Sequence, residues 1–301
     1  MSMESCMREN NISENILKKA ISHIISVQDE SGAWSRLKGE FLCETEPTSW
    51  AVKVLSMDKA LPDRVKKGVQ FILHDQQSDG SWNNNAAHTG FAIIALQETG
   101  IGGEAIEKAI SYLRKVQHEE GGFQRTANVG ESSTLHTAIV LFAMREAGFS
   151  IDDPMVRKAL VWLVSCQNKD GGYGVARGEP SVAFATARAV KALRMYGIPL
   201  AEPFVKDGIA WFLTTQKESG GFSMTPDSPD DPEITAYAMT VMNGLDVYKT
   251  HMQKAIAYLE QVQEADGTFK SYAPIQFNNV TKKNTQTACF VAWALLEMRK
   301  Q

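Results

Sequence analysis

The sequence predicts an all-α protein: a closed (α/α)6 toroid or barrel of twelve helices, six inner and six outer. Two observations carry this. A glutamine, a glycine four residues on and an aromatic two further recur six times, as Gln28-Gly32-Trp34, Gln76-Gly80-Trp82, Gln117-Gly121-Phe123, Gln167-Gly171-Tyr173, Gln216-Gly220-Phe222 and Gln263-Gly267-Phe269. Successive glutamines stand 48, 41, 50, 49 and 47 residues apart, the mark of a repeat architecture. Each copy also follows a helix with one apolar stripe and precedes a helix that is apolar around most of its circumference. A helix with a polar face belongs outside, and one without belongs inside. An open solenoid of helix pairs would share that pattern but needs polar end units. Here the last inner helix, Thr287 to Leu296, is as apolar as any central one, which favours closure.

The elements follow in order. Residues 1–12, polar and rich in charge, are expected as a flexible tail ahead of the first outer helix, and residues 1–301 as one barrel domain. Inner helices are expected from six threonines: Thr48 (TSWAVKVL), Thr89 (TGFAIIAL), Thr137 (TAIVLFAM), Thr186 (TARAVKAL), Thr235 (TAYAMTVM) and Thr287 (TACFVAWAL). Between them lie outer helices such as Val65 to Leu73, Ile106 to Val116, Val156 to Val164 and Met252 to Val262, with apolar residues returning at three and four and lysine or arginine opposite. Alanines on the inner set permit close helix approach. The repeated glutamine, glycine and aromatic are read as structural: the glycine for its backbone angle, the aromatic as a cover on the helix end, the glutamine as a partner for loop backbone groups. Every such turn leads to the N-terminus of an inner helix, so all six inner N-termini face one rim. That rim carries the longer connections and the unpaired N–H groups, and the site is expected there.

Composition narrows the function. Lys plus Arg number 31 against 35 Asp plus Glu, a net charge of -4, which supplies no basic surplus for a nucleic-acid backbone. No apolar run approaches the roughly 18 residues that cross a bilayer, which leaves peripheral membrane association open. The start, MSMESCMRENNISEN, holds no stretch able to serve as a signal peptide, and Cys6, Cys43, Cys166 and Cys289 form no paired motif. A cytoplasmic location is expected.

The rim supplies the candidate chemistry. Glu46-Pro47, Glu179-Pro180 and Asp231-Pro232 each put an acid before a proline that begins an inner helix, and Glu131 precedes Ser132 and Ser133. Capping the helix is the simple reading for Asp231, because a carboxylate there meets free N–H groups. Glutamate caps poorly, so Glu46, Glu131 and Glu179 are less fully explained; clustered, such acids raise one another's pKa or bind a cation. His88 and His136 stand directly before repeated threonines and could orient an acid or donate to a substrate oxygen. Trp50, Phe91, Phe184, Tyr237, Phe290 and Trp293 either line a central cavity or pack the core. Arg188, two residues after Thr186 in an apolar helix, needs solvent or an anionic partner.

The six turns resemble the QW repeats of the terpene cyclase and prenyltransferase superfamily, over nearly the whole chain. The resemblance implies a double ring of helices, a central active site and an isoprenoid or prenylated small molecule as substrate. It is similar in particular to squalene-hopene cyclases, whose class II motif DxDDTA opens an inner helix. Aligned on the threonine, Asp231-Pro232-Glu233-Ile234-Thr235-Ala236 keeps the first acid, an acid at the third place and the Thr-Ala, with Ile234 directly before the threonine. The implied function is a terpene cyclase-like enzyme in which a carboxylic acid initiates cyclisation or rearrangement. Asp231 or Glu233 would be the donor, with His136 and Glu46 beside them. No cofactor is implied, and Mg2+ only if the substrate is a diphosphate. Two alternatives stand: a non-catalytic isoprenoid- or peptide-binding barrel, and a protein prenyltransferase beta-like subunit with zinc and a helical partner subunit. The Asp-x-Cys pair of the latter has no counterpart here.

Overall fold

A computed structural model of the chain describes residues 3–37, 44–59, 61–126, 129–272 and 282–300. The outer helices are α1 (Met3–Ser26), α3 (Pro62–His74), α5 (Gly103–Val116), α7 (Pro154–Val164), α9 (Pro203–Leu213) and α11 (Lys249–Val262). The inner helices are α2 (Thr45–Met57), α4 (Ala86–Thr99), α6 (Thr134–Glu146), α8 (Ala183–Met195), α10 (Pro232–Met242) and α12 (Thr285–Met298). Each inner helix packs on the next, and α12 returns to both α2 and α1, so the ring closes. The tail expected over residues 1–12 is helical from Met3 onward, as a continuation of α1. Cys43 and parts of three rim connections (38–43, 127–128 and 273–281) lie outside the described residues.

The repeated turn is a clasp between neighbouring modules. Each glutamine amide donates to its own turn glycine and across to the next outer helix. The second acceptors are the carbonyls of Arg64 (3.0 Å), Ala105 (2.8 Å), Met155 (2.9 Å), Phe204 (3.0 Å) and His251 (3.1 Å). The sixth, Gln263, reaches the Ile16 carbonyl in α1 at 3.0 Å, so the same bond that spaces the modules also seals the ring. His23 and Thr285 share a hydrogen bond of 3.2 Å across that seam, and Arg299 joins Glu14 (2.9 Å) and Asp58 (3.3 Å) over it.

Glycine is required in the clasp for two reasons at once. Gly80 and Gly121 have φ of 91° and 106°, the left-handed region, and a Cβ on either would meet the backbone of the next outer helix, at Lys108 and Lys158. The following aromatics, Trp34, Trp82, Phe123, Tyr173, Phe222 and Phe269, are fully buried. Trp34 and Trp82 each donate an indole N–H to a carbonyl of the preceding outer helix at 2.7 Å. Threonine completes the joint: the hydroxyls of Thr48, Thr89, Thr137, Thr186 and Thr235 accept from the aromatic's backbone N–H at 2.9–3.1 Å.

Three of the turns open into antiparallel ribbons too short to leave a period in the sequence. They are β1 (Phe123–Thr126) with β2 (Val129–Ser133), β3 (Phe222–Ser223) with β4 (Asp230–Asp231), and β5 (Phe269–Ser271) with β6 (Lys282–Asn284). Their registers set Phe123 opposite Ser133, Phe222 opposite Asp231 and Phe269 opposite Asn284. Those three partners are the N-caps of α6, α10 and α12. The clasp therefore fixes where each inner helix starts, and it does so on one rim.

Candidate active site

The mouth of the barrel is the rim where the inner helices begin. Asp231 sits there as the N-cap of α10, and its carboxylate is saturated. One oxygen accepts from the N–H groups of Glu233 (2.8 Å) and Ile234 (3.2 Å), the other from the Ser271 hydroxyl (2.9 Å) and the Tyr272 N–H (2.8 Å). Capping is thus its observed role, and burial pushes its carboxyl above the ordinary range despite those bonds.

Two residues on, Glu233 turns into the ring. Thr287 on α12 donates to one of its oxygens at 2.9 Å, and the Tyr237 hydroxyl, one turn below on α10, stands 3.5 Å from the other. Burial and the neighbouring Asp231 charge push the Glu233 carboxyl up to about 7, against the pull of Arg36, Thr287 and Arg188. Near neutral pH it carries its proton in a substantial fraction of molecules.

Glu46, in the equivalent place on α2, is held differently. The Arg36 guanidinium donates to one oxygen at 2.7 Å and the Gln286 amide to the other at 2.7 Å. Burial alone would raise it, but Arg36, with His88 and Arg188 behind it, keeps it below the usual carboxylate range. His88 and His136 face the same mouth from α4 and α6. Burial lowers His88, and it pushes His136 down to about 4 together with the positive neighbours His88, Arg125 and Arg188. His136 is therefore neutral, and its Nδ1 is buried without a partner.

A layer below, Arg188 projects from α8 into an aromatic cage. Its guanidinium lies 5.0 Å from the Tyr237 ring centroid, 5.6 Å from Phe91 and 5.8 Å from Phe290, and donates to the Tyr237 hydroxyl at 2.6 Å. Trp50 links the cage to the layer beneath, with centroids 4.7 Å from Phe290 and 4.9 Å from Trp293. Here a small cavity of about 20 Å³ lies between α2, α6, α8, α10 and α12, beside Ala138, Ala187 and Ala192, whose small side chains leave the space. Its far end is closed by ion pairs at the last turns of the inner helices: Lys53 with Glu98 (3.0 Å) and Glu146 (3.5 Å), and Lys191 with Glu297 (2.6 Å).

Of the expected site residues, Trp50, Arg188, Tyr237 and Trp293 line the cavity, Phe91 and Phe290 pack on Arg188 above it, Glu46, His88, His136 and Glu233 stand at the mouth, and Asp231 is taken up by its cap. Phe184 is buried on α8 one turn above Arg188. Glu131 and Glu179 stand apart: both are exposed on the rim, Glu131 on strand β2 and Glu179 on a loop, where it folds back onto the Ala176 N–H of its own turn at 3.1 Å. Sequence reasoning passed over Arg36, Gln286, Phe142, Lys53 and Lys191. Gln286 carries no local signal, since only ring closure sets it beside Glu46, and Arg36, ten residues before Glu46, reaches it through the fold of the intervening connection. Lys53 and Lys191 did carry one, as the residues five places after Thr48 and Thr186 in otherwise apolar stretches. Among the described residues no three His, Cys, Asp or Glu side chains gather as ligands for a metal.

A closed double ring of six inner and six outer helices is the architecture of the α/α toroids. The family model of the prenyltransferase alpha-alpha toroid domain matches residues 2–197 and again 134–298, and the chain belongs to that family. The squalene–hopene cyclase of Bradyrhizobium diazoefficiens is 29% identical over 176 residues, 58% of this chain and 23% of that protein. The drimenyl diphosphate synthase of Streptomyces showdoensis is 26% identical over 167 residues, 52% of this chain and 31% of that protein. The match takes in less than a third of either relative's length. Among solved structures, the type II terpene cyclase MstE from Scytonema, in complex with geranylgeranyl dihydroxybenzoate, superposes with a TM-score of 0.75 at 16% identity, covering 98% of this chain and 99% of that one. A glycosidase covers 99% of both chains at a TM-score of 0.68 and 12% identity. At such identities the shared property is the fold. Among the described residues no helix is long and apolar enough to cross a membrane.

Proposed function

We propose that this protein is a terpene cyclase-like enzyme that starts cyclisation by protonating an alkene of an isoprenoid substrate, with Glu233 as the acid. The observation that carries this is the Glu233 carboxyl, kept neutral up to about pH 7 at the top of an aromatic chamber. Protonating an alkene demands an acid shielded from bulk water and a wall that stabilises the cation formed. The Glu233 proton passes to one alkene carbon and leaves a carboxylate, whose charge Arg36 and Arg188 oppose. A neighbouring double bond attacks the cationic carbon, closing the ring and carrying the positive charge to its own far carbon, and an adjacent C–H then gives its proton to the open Nδ1 of neutral His136 or to water, leaving a new double bond. The Trp50 ring, packed against Phe290 and Trp293, is placed for that cation, whereas Arg188 already covers the rings of Phe91, Tyr237 and Phe290. Asp231 acts through Glu233: it fixes the start of α10 and raises the acid's pKa. Neutral His136, with an open Nδ1, is available to a substrate oxygen or water, and Glu46, already ionised and doubly bonded, is a positioning group.

The squalene–hopene cyclase and drimenyl diphosphate synthase relatives support this class of substrate. The binding-barrel alternative is favoured by one observation, that Ile234 stands in the apolar core at 1% exposure where the class II motif has an acid. The reading needs no cofactor, and Mg2+ enters only with a diphosphate substrate. It places the protein in the cytoplasm, in keeping with the free, buried thiols of Cys166 and Cys289. The test is incubation of the purified protein with prenyl substrates of several lengths, followed by mass spectrometry for cyclic products. Cyclisation that disappears in Glu233→Gln is expected; full turnover by that variant would overturn the assignment.

A further inference from the structure

Among the described residues, three N–H donors around the central cavity have no acceptor: the indole Nε1 of Trp50, the indole Nε1 of Trp293 and the guanidinium Nε of Arg188. All three residues line the cavity, and each tryptophan is only 3% exposed. Elsewhere the fold satisfies most of its indoles. Trp34 and Trp82 donate to carbonyls and Trp211 to Asp170 at 3.1 Å, while Trp162, on the outer ring, is the exception. A buried donor left open is costly, and several of them around one cavity mark a place where a ligand brings the acceptors.

Charge limits what that ligand can be. The two lysines at the deep end are already neutralised, Lys53 by Glu98 and Glu146 and Lys191 by Glu297, so three carboxylates face two ammonium groups. Arg188, a layer higher, has no carboxylate in contact among the described residues, and its charge acts on Glu46 and Glu233 at longer range. Hydrogen-bond donors are plentiful there, and spare positive charge is not.

Depth sets the orientation. Glu233 is two residues before the repeated threonine of its helix, Trp50 and Arg188 are two after theirs and Trp293 is six after its own, a drop of four to eight residues or about 6–12 Å at helical rise. A chain whose terminal alkene meets Glu233 at the mouth must extend its other end toward Trp50, Trp293 and Arg188.

We propose that the cavity under Glu233, where the open N–H groups of Trp50, Trp293 and Arg188 lie, is a head-group site for an oxygen acceptor carrying at most one negative charge, a carbonyl, hydroxyl or carboxylate, and that the prenyl substrate lies head-down beneath Glu233. This deepens the cyclase reading and rests on its isoprenoid substrate. A diphosphate, with its several charges, is excluded from the site.

The test titrates the full chain, by quenching of its tryptophan fluorescence, with one farnesyl chain ending as a hydrocarbon, an alcohol, a carboxylate or a diphosphate. The carboxylate should bind at least about tenfold tighter than the hydrocarbon, and the diphosphate no tighter than the alcohol. Trp293→Phe, which keeps a ring but removes the N–H, should lose most of that preference, read as the ratio of carboxylate to hydrocarbon affinity within the variant; Trp50→Phe provides the same test should Trp293→Phe not fold. Binding blind to the head group, or tightest for the diphosphate, would overturn the site. Turnover, assayed separately, distinguishes the two proposals. Head-group selectivity without any cyclic product leaves the site standing and removes the cyclase. Cyclisation without selectivity does the reverse.

Discussion

Glu46 and Glu233 occupy the same place in two modules. Each is the second residue of its inner helix, two before a repeated threonine, and each turns into the ring. Their protonation is opposite. Arg36 and Gln286 occupy both oxygens of Glu46 at 2.7 Å and hold it charged, whereas Glu233 has Asp231 beside it and hydroxyls for partners, and its pKa rises to about 7. Equal placement by the repeat therefore does not give equal chemistry. Burial penalises both carboxylates alike, and the neighbours that do not repeat decide which one ionises.

The largest expected effect tests this contrast directly. Glu233→Gln should lower kcat at least about 10³-fold, within the range for loss of a general acid, while substrate still binds. Glu46→Gln should stay within about tenfold of the parent, because a group already ionised donates no proton. Equal losses in the two variants, measured in one assay, would break the comparison.

Next is the dependence on pH. Glu233 binds its proton more tightly folded than unfolded, so its contribution to stability is present below about pH 4.5 and is lost as pH rises through about 7, on the order of 3 kcal/mol at most. His136, lowered to about 4, has the opposite sign: its contribution is present above about 6.5 and is lost as pH falls toward 4. Urea unfolding at a series of pH values should show the two partly cancelling in the parent, and only the rise with pH should survive in Glu233→Gln. Turnover should decline above about pH 7 as Glu233 ionises.

A smaller effect belongs to the other glutamate. Arg36→Ala leaves the Glu46 charge in place with only the Gln286 amide on it, and should destabilise by about 2 kcal/mol, below the value for a fully buried pair because Arg36 is 21% exposed. Combining it with Glu46→Gln should recover much of that loss in a double-mutant cycle. The smallest is Thr287→Val, about 1 kcal/mol for one hydrogen bond. It removes a bond that favours the ionised form of Glu233, so the alkaline limb of the pH–rate profile should move to higher pH.

The clasps were legible in the sequence because each is local: glutamine, glycine and aromatic fall within seven residues, and the threonine follows by a short connection. The acids of the mouth were legible as a set, since inner-helix N-termini share a rim whatever the loops do. Their roles were not. Asp231 reads equally as cap or donor until Ser271 and Tyr272 are seen to fill its second oxygen. Glu131 and Glu179 read as rim acids like Glu46, yet they remain exposed on the rim. The ribbons escaped notice because two to five residues are too few for a period of two to register.

The amino-acid sequence by itself determined the closed ring, its polarity and the apolar character of its interior, because periodicity, turn glycines and helix starts are properties of neighbouring residues. Only the tertiary structure decided which carboxyl keeps its proton and where open donors meet a cavity. Arg36 and Gln286, which ionise Glu46, and Thr287, which bonds Glu233, reach them through the fold, and a pKa depends on the charges and bonds that folding brings within a few ångströms of the group.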